Sequence, residues 1–226
     1  MTLNARAAIL FAALAAAHAA HAASAAEVAA TADIGTTGLG LHLSTPLATN
    51  LNARIGINVA NYSYDGNTSD VDYDFKLKLA TADALLDWHP FAGSFRISGG
   101  VVYNGNKIDA RARPNAAGSY DINGSVYSAA SVGRPDGRID FRKAAPYLGI
   151  GWGNAVKQSG WSVGLDLGVS FQGSPKTALA SSGCTASAGT CAQLARDVAA
   201  ENVRLADEVD GFKFYPVVRA GVSYRF

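Results

Sequence analysis

His42 and Ser44 are the residues whose types and spacing come nearest to catalytic chemistry. They lie two positions apart in an alternating segment, so their side chains share one face of a strand. An imidazole can act as general base for a hydroxyl nucleophile when the two lie within about 3 Å and an acid orients the ring. Asp83 or Asp166 could supply that acid. A lipid-modifying enzyme using His42 therefore stays open as a hypothesis, although an inward-facing imidazole is poorly placed to reach lipid.

The other residues with reactive side chains favour structural roles. His89 precedes Pro90 in a short turn, which is typical of an interfacial histidine. Cys184 and Cys191 are the two cysteines of the chain, and both lie in one polar segment. In an oxidising compartment this favours a local disulfide over free thiols. No histidine or further cysteine accompanies them, so a metal site is not expected, and the sequence indicates no cofactor.

The end of the sequence indicates which elements position these residues. From Phe212 to Phe226, apolar and polar side chains alternate, which predicts a strand with one apolar face. The apolar row resembles the C-terminal signal that the barrel-assembly machinery of the outer membrane recognises. Its members are Val218, Ala220, Val222, Tyr224 and Phe226. The resemblance implies that this machinery is a partner during biogenesis.

Residues 1–25 have the pattern of a secretory signal peptide. A single charge, Arg6, precedes an apolar stretch from Ala7 to Ala17 and then small residues that suit cleavage. The apolar stretch is shorter than the roughly 20 residues that a spanning helix needs. We therefore expect a cleaved signal peptide over residues 1–25 and one domain over residues 26–226.

The charge balance and hydropathy exclude several classes of protein. The sequence has 19 Lys and Arg against 18 Asp and Glu, and loss of Arg6 leaves 18 of each sign. A net charge near zero argues against nucleic acid as a partner. No later segment approaches 18 continuous apolar residues, so spanning helices are not expected. A sheet in a membrane must be closed, because an open edge would leave backbone groups unpaired in hydrocarbon.

Seven segments alternate clearly between apolar and polar side chains, and both chain ends can lie on one side of a membrane only if an eighth strand exists. We place that strand from about Glu27 to Gly35. Within Val71 to Trp88 the parity of the apolar residues changes, which we interpret as a β-bulge near Ala80 and Thr81. The prediction is an all-β fold: a closed antiparallel up-and-down transmembrane β-barrel of about eight strands, with side chains filling its interior.

The inward rows of these strands carry many charged residues. Buried charges are tolerated only when they are paired, so we predict a charge network in the lumen. Its predicted members are Arg54, Asp72, Asp74, Lys76, Lys78, Asp83, Asp87, Arg96, Asp166, Lys213, Arg219 and Arg225. The tryptophans Trp88, Trp152 and Trp161 flank short connections, where an aromatic girdle at the periplasmic interface is expected.

Two long connections are predicted to lie outside the cell. Within residues 114–140, alternation around Asn123 and Gly124 predicts a β-hairpin. Within residues 174–210, apolar residues recur at helical spacing and predict an amphipathic helix from about Ala192 to Asp210. Packing across the barrel rim is the simpler interpretation of this helix, and a lid or partner-binding element is the alternative.

Several segments resemble a known family. They include Asp87-Trp88-His89-Pro90-Phe91, Ala145 to Asn154 and Phe171 to Pro175. They resemble small Gram-negative outer-membrane β-barrel proteins of the eight-stranded kind, broadly the OmpW, OmpX and OmpA-barrel types. The resemblance implies an outer-membrane location, with membrane lipid and lipopolysaccharide around the barrel, and supplies no catalytic motif. The preferred hypothesis is a non-enzymatic structural or surface-interaction protein with limited passage of small or hydrophobic solutes.

Overall fold

The computed structural model describes residues 27–67 and 72–226, and it describes the side chains of residues 27–63 and 76–226. The signal peptide predicted for residues 1–25 lies outside the described residues. The strands are β1 (Ala29–Gly35), β2 (Gly38–Ala48), β3 (Leu51–Asn67), β4 (Asp72–Trp88), β5 (Phe95–Asn104), β6 (Lys107–Arg113), β7 (Ser119–Ile122), β8 (Ser125–Ser128), β9 (Arg134–Asp140), β10 (Ala144–Trp152), β11 (Gly160–Phe171), β12 (Lys176–Ser182) and β13 (Phe214–Arg225). The helices are α1 (Ala129–Val132) and α2 (Ala188–Val209).

Eight strands close into an antiparallel barrel. Their order around the wall is β1, β2, β3, β4, β5, β10, β11 and β13, and β13 pairs again with β1. At this closure Ala29 lies opposite Arg225, and Gly35 lies opposite Arg219. The predicted fold class is confirmed, including the weak first strand, which begins at Ala29 rather than at Glu27.

Two connections between barrel strands are long, and both lie at the same end of the barrel. At one end, here called the short-turn end, β2–β3, β4–β5 and β10–β11 are joined by residues 49–50, 89–94 and 153–159. At the other end, the long-loop end, all of the chain between β5 and β10 and between β11 and β13 is inserted. Both the first and the last barrel strand have their free ends at the short-turn end, as an even number of strands requires.

The barrel wall has the reverse polarity of a soluble domain. Large apolar side chains cover its outside, where Val163 is 74% and Ile34 is 64% exposed. Charged and amide side chains fill its inside, where Arg54, Asp166 and Arg219 are buried. This inversion follows from the strand period of two, because each strand presents one row to either face.

Strand β4 has no β-bulge at Ala80 and Thr81, so that prediction is wrong. The register between β3 and β4 runs unbroken from Leu51 opposite Trp88 to Asn67 opposite Asp72. The inward face changes character instead: Asp83 and Asp87 are buried in the lumen, and Leu79, on the same face, is buried above it. Beyond Ala80 the wall is built as in a soluble protein, with apolar side chains inside and polar ones outside.

At the long-loop end the wall of β4 continues into a second sheet. The upper half of β4 pairs with β6, β6 pairs with β9, and β9 pairs with β12. The predicted hairpin is formed by β7 and β8, with Asn123 and Gly124 at φ 54° and 75°, as a type I′ turn requires. We call residues 107–140 and 176–209 the outer module.

The outer module has an apolar core of its own. Its buried members are Ala112, Tyr120, Ile122, Tyr127, Val132, Leu194 and Val198. Helix α2 begins four residues before the predicted start, at Ala188, where the Oγ atom of the N-cap Ser187 accepts a hydrogen bond from the Thr190 amide at 3.2 Å. It packs on β12 and the hairpin rather than across the barrel rim. No helix in the described part of the chain is long and apolar enough to cross a membrane.

Helix α2 also protects the free edge of the second sheet. Strand β12 is the last in its order, so one of its edges has no partner strand. The side-chain oxygen of Asn202 accepts a hydrogen bond from the Leu179 amide at 3.0 Å, and the Asn202 carbonyl accepts one from Thr177. An exposed strand edge is a template for pairing with another chain, and the helix covers it.

Candidate functional site in the barrel lumen

The lumen is crossed by an ion-pair network centred on Arg54 of β3. Its guanidinium donates to Asp166 of β11 at 2.8 Å and to Asp87 of the neighbouring β4 at 3.0 Å. Arg96 of β5 donates to the second Asp166 oxygen at 2.8 Å and also to the carbonyl of Gly153. Four strands are thereby tied across the barrel interior by buried charges.

A second half of the network consists of His42, Asp33, Asp83 and Arg219, with His42 at its centre. Its Nδ1 atom is 2.6 Å from a carboxylate oxygen of Asp33 on β1, and its Nε2 atom is 3.1 Å from Asp83 on β4. Arg219 of β13 donates to the same Asp83 oxygen at 3.0 Å. The ring packs against Gly56 of β3, where an added Cβ atom would lie 1.9 Å from His42 Cδ2, so only glycine fits there.

The charges of the two halves nearly balance. Four carboxylates, those of Asp33, Asp83, Asp87 and Asp166, face three guanidinium groups, those of Arg54, Arg96 and Arg219. Nε2 of His42 also lies 3.0 Å from Nη1 of Arg219, which can only donate. A neutral ring would accept this hydrogen bond at Nε2 and donate to Asp33 through Nδ1.

Little free space remains between these side chains. Around Arg54 and Asp87 there is a cavity of about 30 Å³, and around Asp83 and Tyr147 one of about 20 Å³. Roughly 10 to 15 Å³ is needed to hold one water molecule on this measure. Each of these two cavities therefore has room for about one to three waters, counted on that measure.

Six of the predicted network residues are brought together in the lumen. They are Arg54, Asp83, Asp87, Arg96, Asp166 and Arg219. Sequence reasoning did not include Asp33, although it shares the inward parity of Thr31 and Gly35 in β1. It placed His42 inward as a candidate base, and the structure makes this residue part of the network.

Several other predicted members lie elsewhere. Lys76 and Lys78 are on the outer face of β4, because the absence of a bulge leaves even-numbered residues outside; Lys78 pairs with Asp109 of β6 at 3.1 Å. Lys213 lies before β13 and pairs with the nearby Asp210 at 2.7 Å.

The remaining predicted members are at the ends of the barrel. Arg225 faces inward but stands at the short-turn mouth, where it pairs with Glu27 at 2.6 Å. Asp72 and Asp74 lie on β4, but their side chains are outside the part of the chain whose side chains are described.

His89 has a structural role in the turn after β4. Its Nδ1 atom is 3.1 Å from the carbonyl of Phe95, and its Nε2 atom is 3.1 Å from the Asn52 amide. Burial, with the charge of Arg96, lowers the pKa of His89 below its usual value. A neutral ring that is held on both sides fixes the turn.

Aromatic side chains ring both ends of the apolar wall. At the short-turn end Trp88, Trp152 and Trp161 are exposed. Trp152 packs edge-on against Phe95, and Trp161 packs in the same way against Tyr224. At the long-loop end Phe171 packs against Phe214. The residues of the proposed assembly signal, Val218, Ala220, Val222, Tyr224 and Phe226, lie on the outer face of β13 or at its end.

The outer module has one polar cluster of note. Asp197 of α2 is buried and accepts hydrogen bonds from the Tyr127 hydroxyl and, at 3.1 Å, from the Asn123 side chain of the hairpin. Close by, Cys184 and Cys191 form a disulfide that joins the residues just after β12 to the first turn of α2. Within the described residues, no group of three or more His, Cys, Asp or Glu side chains is placed to hold a metal ion.

An apolar outer wall is unfavourable in water. The closed ladder of strand-to-strand hydrogen bonds leaves no backbone group of the wall unpaired in hydrocarbon. Aromatic girdles at both ends and a polar interior complete the pattern of barrels that span the bacterial outer membrane. The chain is a small outer-membrane β-barrel protein. In such barrels the short turns are periplasmic and the long loops extracellular.

Comparison with solved structures finds proteins of similar fold. The chain is similar to the crystal structure of Acinetobacter baumannii CarO, with a TM-score of 0.57 and 25% identity over 88% of this chain and 98% of that chain. A. baumannii CarO2 follows, with a TM-score of 0.55 and 24% identity over 89% and 99%. A major outer membrane protein from Thermus thermophilus is more distant, with 15% identity and a TM-score of 0.46 over 90% and 100%. Neither protein-family models nor curated proteins give a match.

Proposed function

We propose that this protein is a non-enzymatic barrel with a closed lumen, which anchors the outer module in the membrane and presents it at the cell surface. The observation that carries the proposal is the ion-pair network that joins Arg54, Asp87, Asp166 and Arg96 across the lumen. Such a network occupies the path that a solute would take. We also propose that residues 1–25 direct export and are then removed, which the sequence pattern supports.

The size of the remaining space argues against an open pore. Cavities of about 30 and 20 Å³ accommodate isolated waters but no hydrated ion or organic solute. Passage of small or hydrophobic solutes along the axis would require Arg54 to separate from Asp166, now 2.8 Å apart. Breaking a buried pair exposes an uncompensated charge in a medium of low dielectric constant, so separated states should be rare.

The enzymatic alternative finds little support in the surroundings of His42. The residue is 2% exposed, and both of its ring nitrogens lie beside carboxylates. Among the described side chains, no hydrogen bond joins His42 to Ser44 or to another hydroxyl group. A lipid substrate would approach from the outer face of the wall, which this imidazole does not reach.

The outer module supports the surface role. It has its own apolar core, a disulfide and a protected sheet edge, so it is built to keep one shape outside the membrane. The outward side of α2 carries exposed residues, among them Val203 at 61% exposure. A rigid, solvent-facing element of this kind suits interaction better than catalysis.

Single-channel recording in planar bilayers tests the closed lumen. The unaltered protein should give no discrete conductance steps. A variant with Arg54→Ser and Asp166→Ser removes one charge of each sign and widens the lumen, so it should give brief steps. The matched control, Arg204→Ser with Glu201→Ser, removes an exposed pair on α2 and should be silent. Long-lived steps from the unaltered protein would show that the lumen is not closed.

Labelling of intact cells tests presentation of the outer module. A Val203→Cys variant should react with a membrane-impermeant maleimide, because this position is exposed on α2. A Lys157→Cys variant, in the β10–β11 turn, should react only after the outer membrane is permeabilised. The reverse pattern would mean that the barrel has the opposite orientation, and the proposed role would be wrong.

A further inference from the structure

We propose that a row of basic side chains at the outer boundary of the barrel binds phosphate groups of a glycolipid in the outer leaflet. The row consists of Lys78 on β4, Lys107 on β6, Lys176 on β12 and Arg142 just before β10. Register places the lysines side by side: Lys78 lies opposite Lys107, Lys107 opposite Asp140, and Asp140 opposite Lys176. All four basic residues are at least partly exposed.

The height of the row matches the lipid headgroups. Lys78 is ten residues before Trp88, the girdle residue at the periplasmic end of the same strand. Ten residues of a strand span about 34 Å, and a tilt of about 40° reduces this to about 26 Å along the membrane normal. The apolar band of outer-membrane barrels is about 25 Å tall. Lys78 and its neighbours therefore stand where the hydrocarbon ends and the phosphates of the outer leaflet begin.

The charges of the row are only partly neutralised within the protein. Lys78 and Lys107 face each other across β4 and β6, and like charges in directly opposed positions destabilise a sheet. Lys78 contacts Asp109, which also binds Arg138 at 3.1 Å. Among the described side chains, Lys107, Arg142 and Lys176 take part in no ion pair, and Asp140 is the only acid in the row. Four cations and one acid leave three positive charges.

The position of the row indicates lipid as the source of the phosphate. Directly towards the membrane, the outer face carries Ala82 and Tyr103, which lie opposite each other and belong to the lipid-facing wall. A ligand on the row would thus keep its acyl chains against the wall while its headgroup met the lysines. Lys78 and Lys176 are three strand spacings apart, about 14 Å, so the row is wide enough for more than one phosphate. This inference needs only the membrane placement, not the closed lumen.

The test uses the full-length protein in a neutral detergent and diphosphoryl lipid A in phosphatidylcholine vesicles. Each lysine near an anionic surface contributes about a factor of five, so Lys107→Gln with Lys176→Gln should weaken binding about thirtyfold. The charge-matched control is Lys157→Gln with Arg204→Gln, which should bind like the unaltered protein. A second variant, Lys78→Gln with Arg142→Gln, should also bind more weakly. Heat-modifiable migration in gels checks that each variant is folded.

Further arms of the experiment identify the ligand chemistry. Lipid A without its phosphates should bind at least tenfold more weakly, and inorganic phosphate at millimolar concentration should not displace the lipid. Equal binding of the dephosphorylated lipid would overturn the proposal, as would unchanged binding by both row variants. Displacement by inorganic phosphate would also overturn it, because the row would then be a site for free phosphate.

Discussion

The barrel and the outer module are built from the same strands but have opposite interiors. Inside the barrel, Arg54 is surrounded by Asp87 and Asp166, and most large apolar residues face out, apart from a buried apolar cluster of Leu85, Val102, Tyr147 and Val217. Inside the outer module, Leu194 and Val198 pack against the hairpin, and most charges face out, with buried Asp197 as an exception. Strand β4 takes part in both, with Asp83 and Leu79 on the same face. The medium outside the wall, lipid or water, therefore determines whether the interior is mainly polar or mainly apolar.

The two interiors should also respond differently to damage. A buried ion pair contributes little net stability, yet removal of one partner leaves an uncompensated charge and costs several kcal/mol. An apolar core loses transfer free energy and gains a cavity when a side chain is shortened. The barrel should therefore be most sensitive to loss of a charge, and the outer module to loss of apolar volume.

The largest effect is expected from Arg54→Ala. This change leaves Asp87 and Asp166 with fewer partners in the buried lumen. The free energy of unfolding should fall by about 3 to 5 kcal/mol. Urea titration of protein folded in detergent, followed by tryptophan fluorescence, measures the loss.

Arg204→Ala is the matched control for that experiment. Arg204 pairs with Glu201 on exposed α2 at 3.6 Å, and exposed pairs are worth at most about 1 kcal/mol. If the free energy of unfolding fell equally in the two variants, a buried ion pair in the lumen would contribute no more to stability than an exposed pair, and the proposed difference between the two regions would be wrong.

A smaller and local effect is expected from Leu194→Ala. Leu194 is 2% exposed in the core of the outer module, and such a truncation costs about 2 to 4 kcal/mol. The outer module should open and α2 should become sensitive to protease, while the barrel keeps its heat-modifiable migration. Val203→Ala on the exposed side of the same helix should change neither property. Loss of the barrel in the Leu194 variant would mean that the two regions fold as one unit.

The period-two pattern predicted most of the barrel because lipid imposes it strictly. Each spanning strand needs an apolar outer row, so even the thin row of Ala32 and Ile34 marked β1 correctly. Local signals predicted the hairpin at Asn123 and Gly124, since type I′ turns have a narrow sequence preference. These features depend on neighbours in sequence or on a face that meets one solvent.

The wrong predictions on β4 share one physical cause. Periodicity separates the two faces of a strand but does not tell which face meets water. The polar outer face of β4 beyond Ala80 is therefore easily taken for a lumen face, and this placed Lys76 and Lys78 inside the barrel. The apparent parity change was then explained by a bulge that is absent. The contact between Asp33 and His42 depends on pairing of β1 with β2 and on the space left by Gly56, which a linear pattern does not report.

The smallest expected effect is a shift in the titration of Asp197, the buried carboxylate of the outer module. Hydrogen bonds from Tyr127 and Asn123 hold the pKa of Asp197 at about 2, below its ordinary value of 3.8. A depressed carboxyl pKa stabilises the folded state above pH 4, and this contribution is lost as pH falls from about 4 to about 2. The carboxyl resonance of Asp197, followed by NMR in micelles, should therefore titrate near pH 2.

Tyr127→Phe removes the hydroxyl that donates to Asp197 and should raise the titration midpoint toward 3.8. Tyr120→Phe is the control, because Tyr120 is buried in the same core and donates no hydrogen bond to Asp197 among the described contacts. Its midpoint should stay near 2. A midpoint near 3.8 in the unaltered protein would mean that the hairpin and α2 are not joined through this carboxylate. The outer module would then be held by its apolar core, its disulfide and the Asn202 hydrogen bonds, without a buried carboxylate, and the two regions would differ even more in what stabilises them.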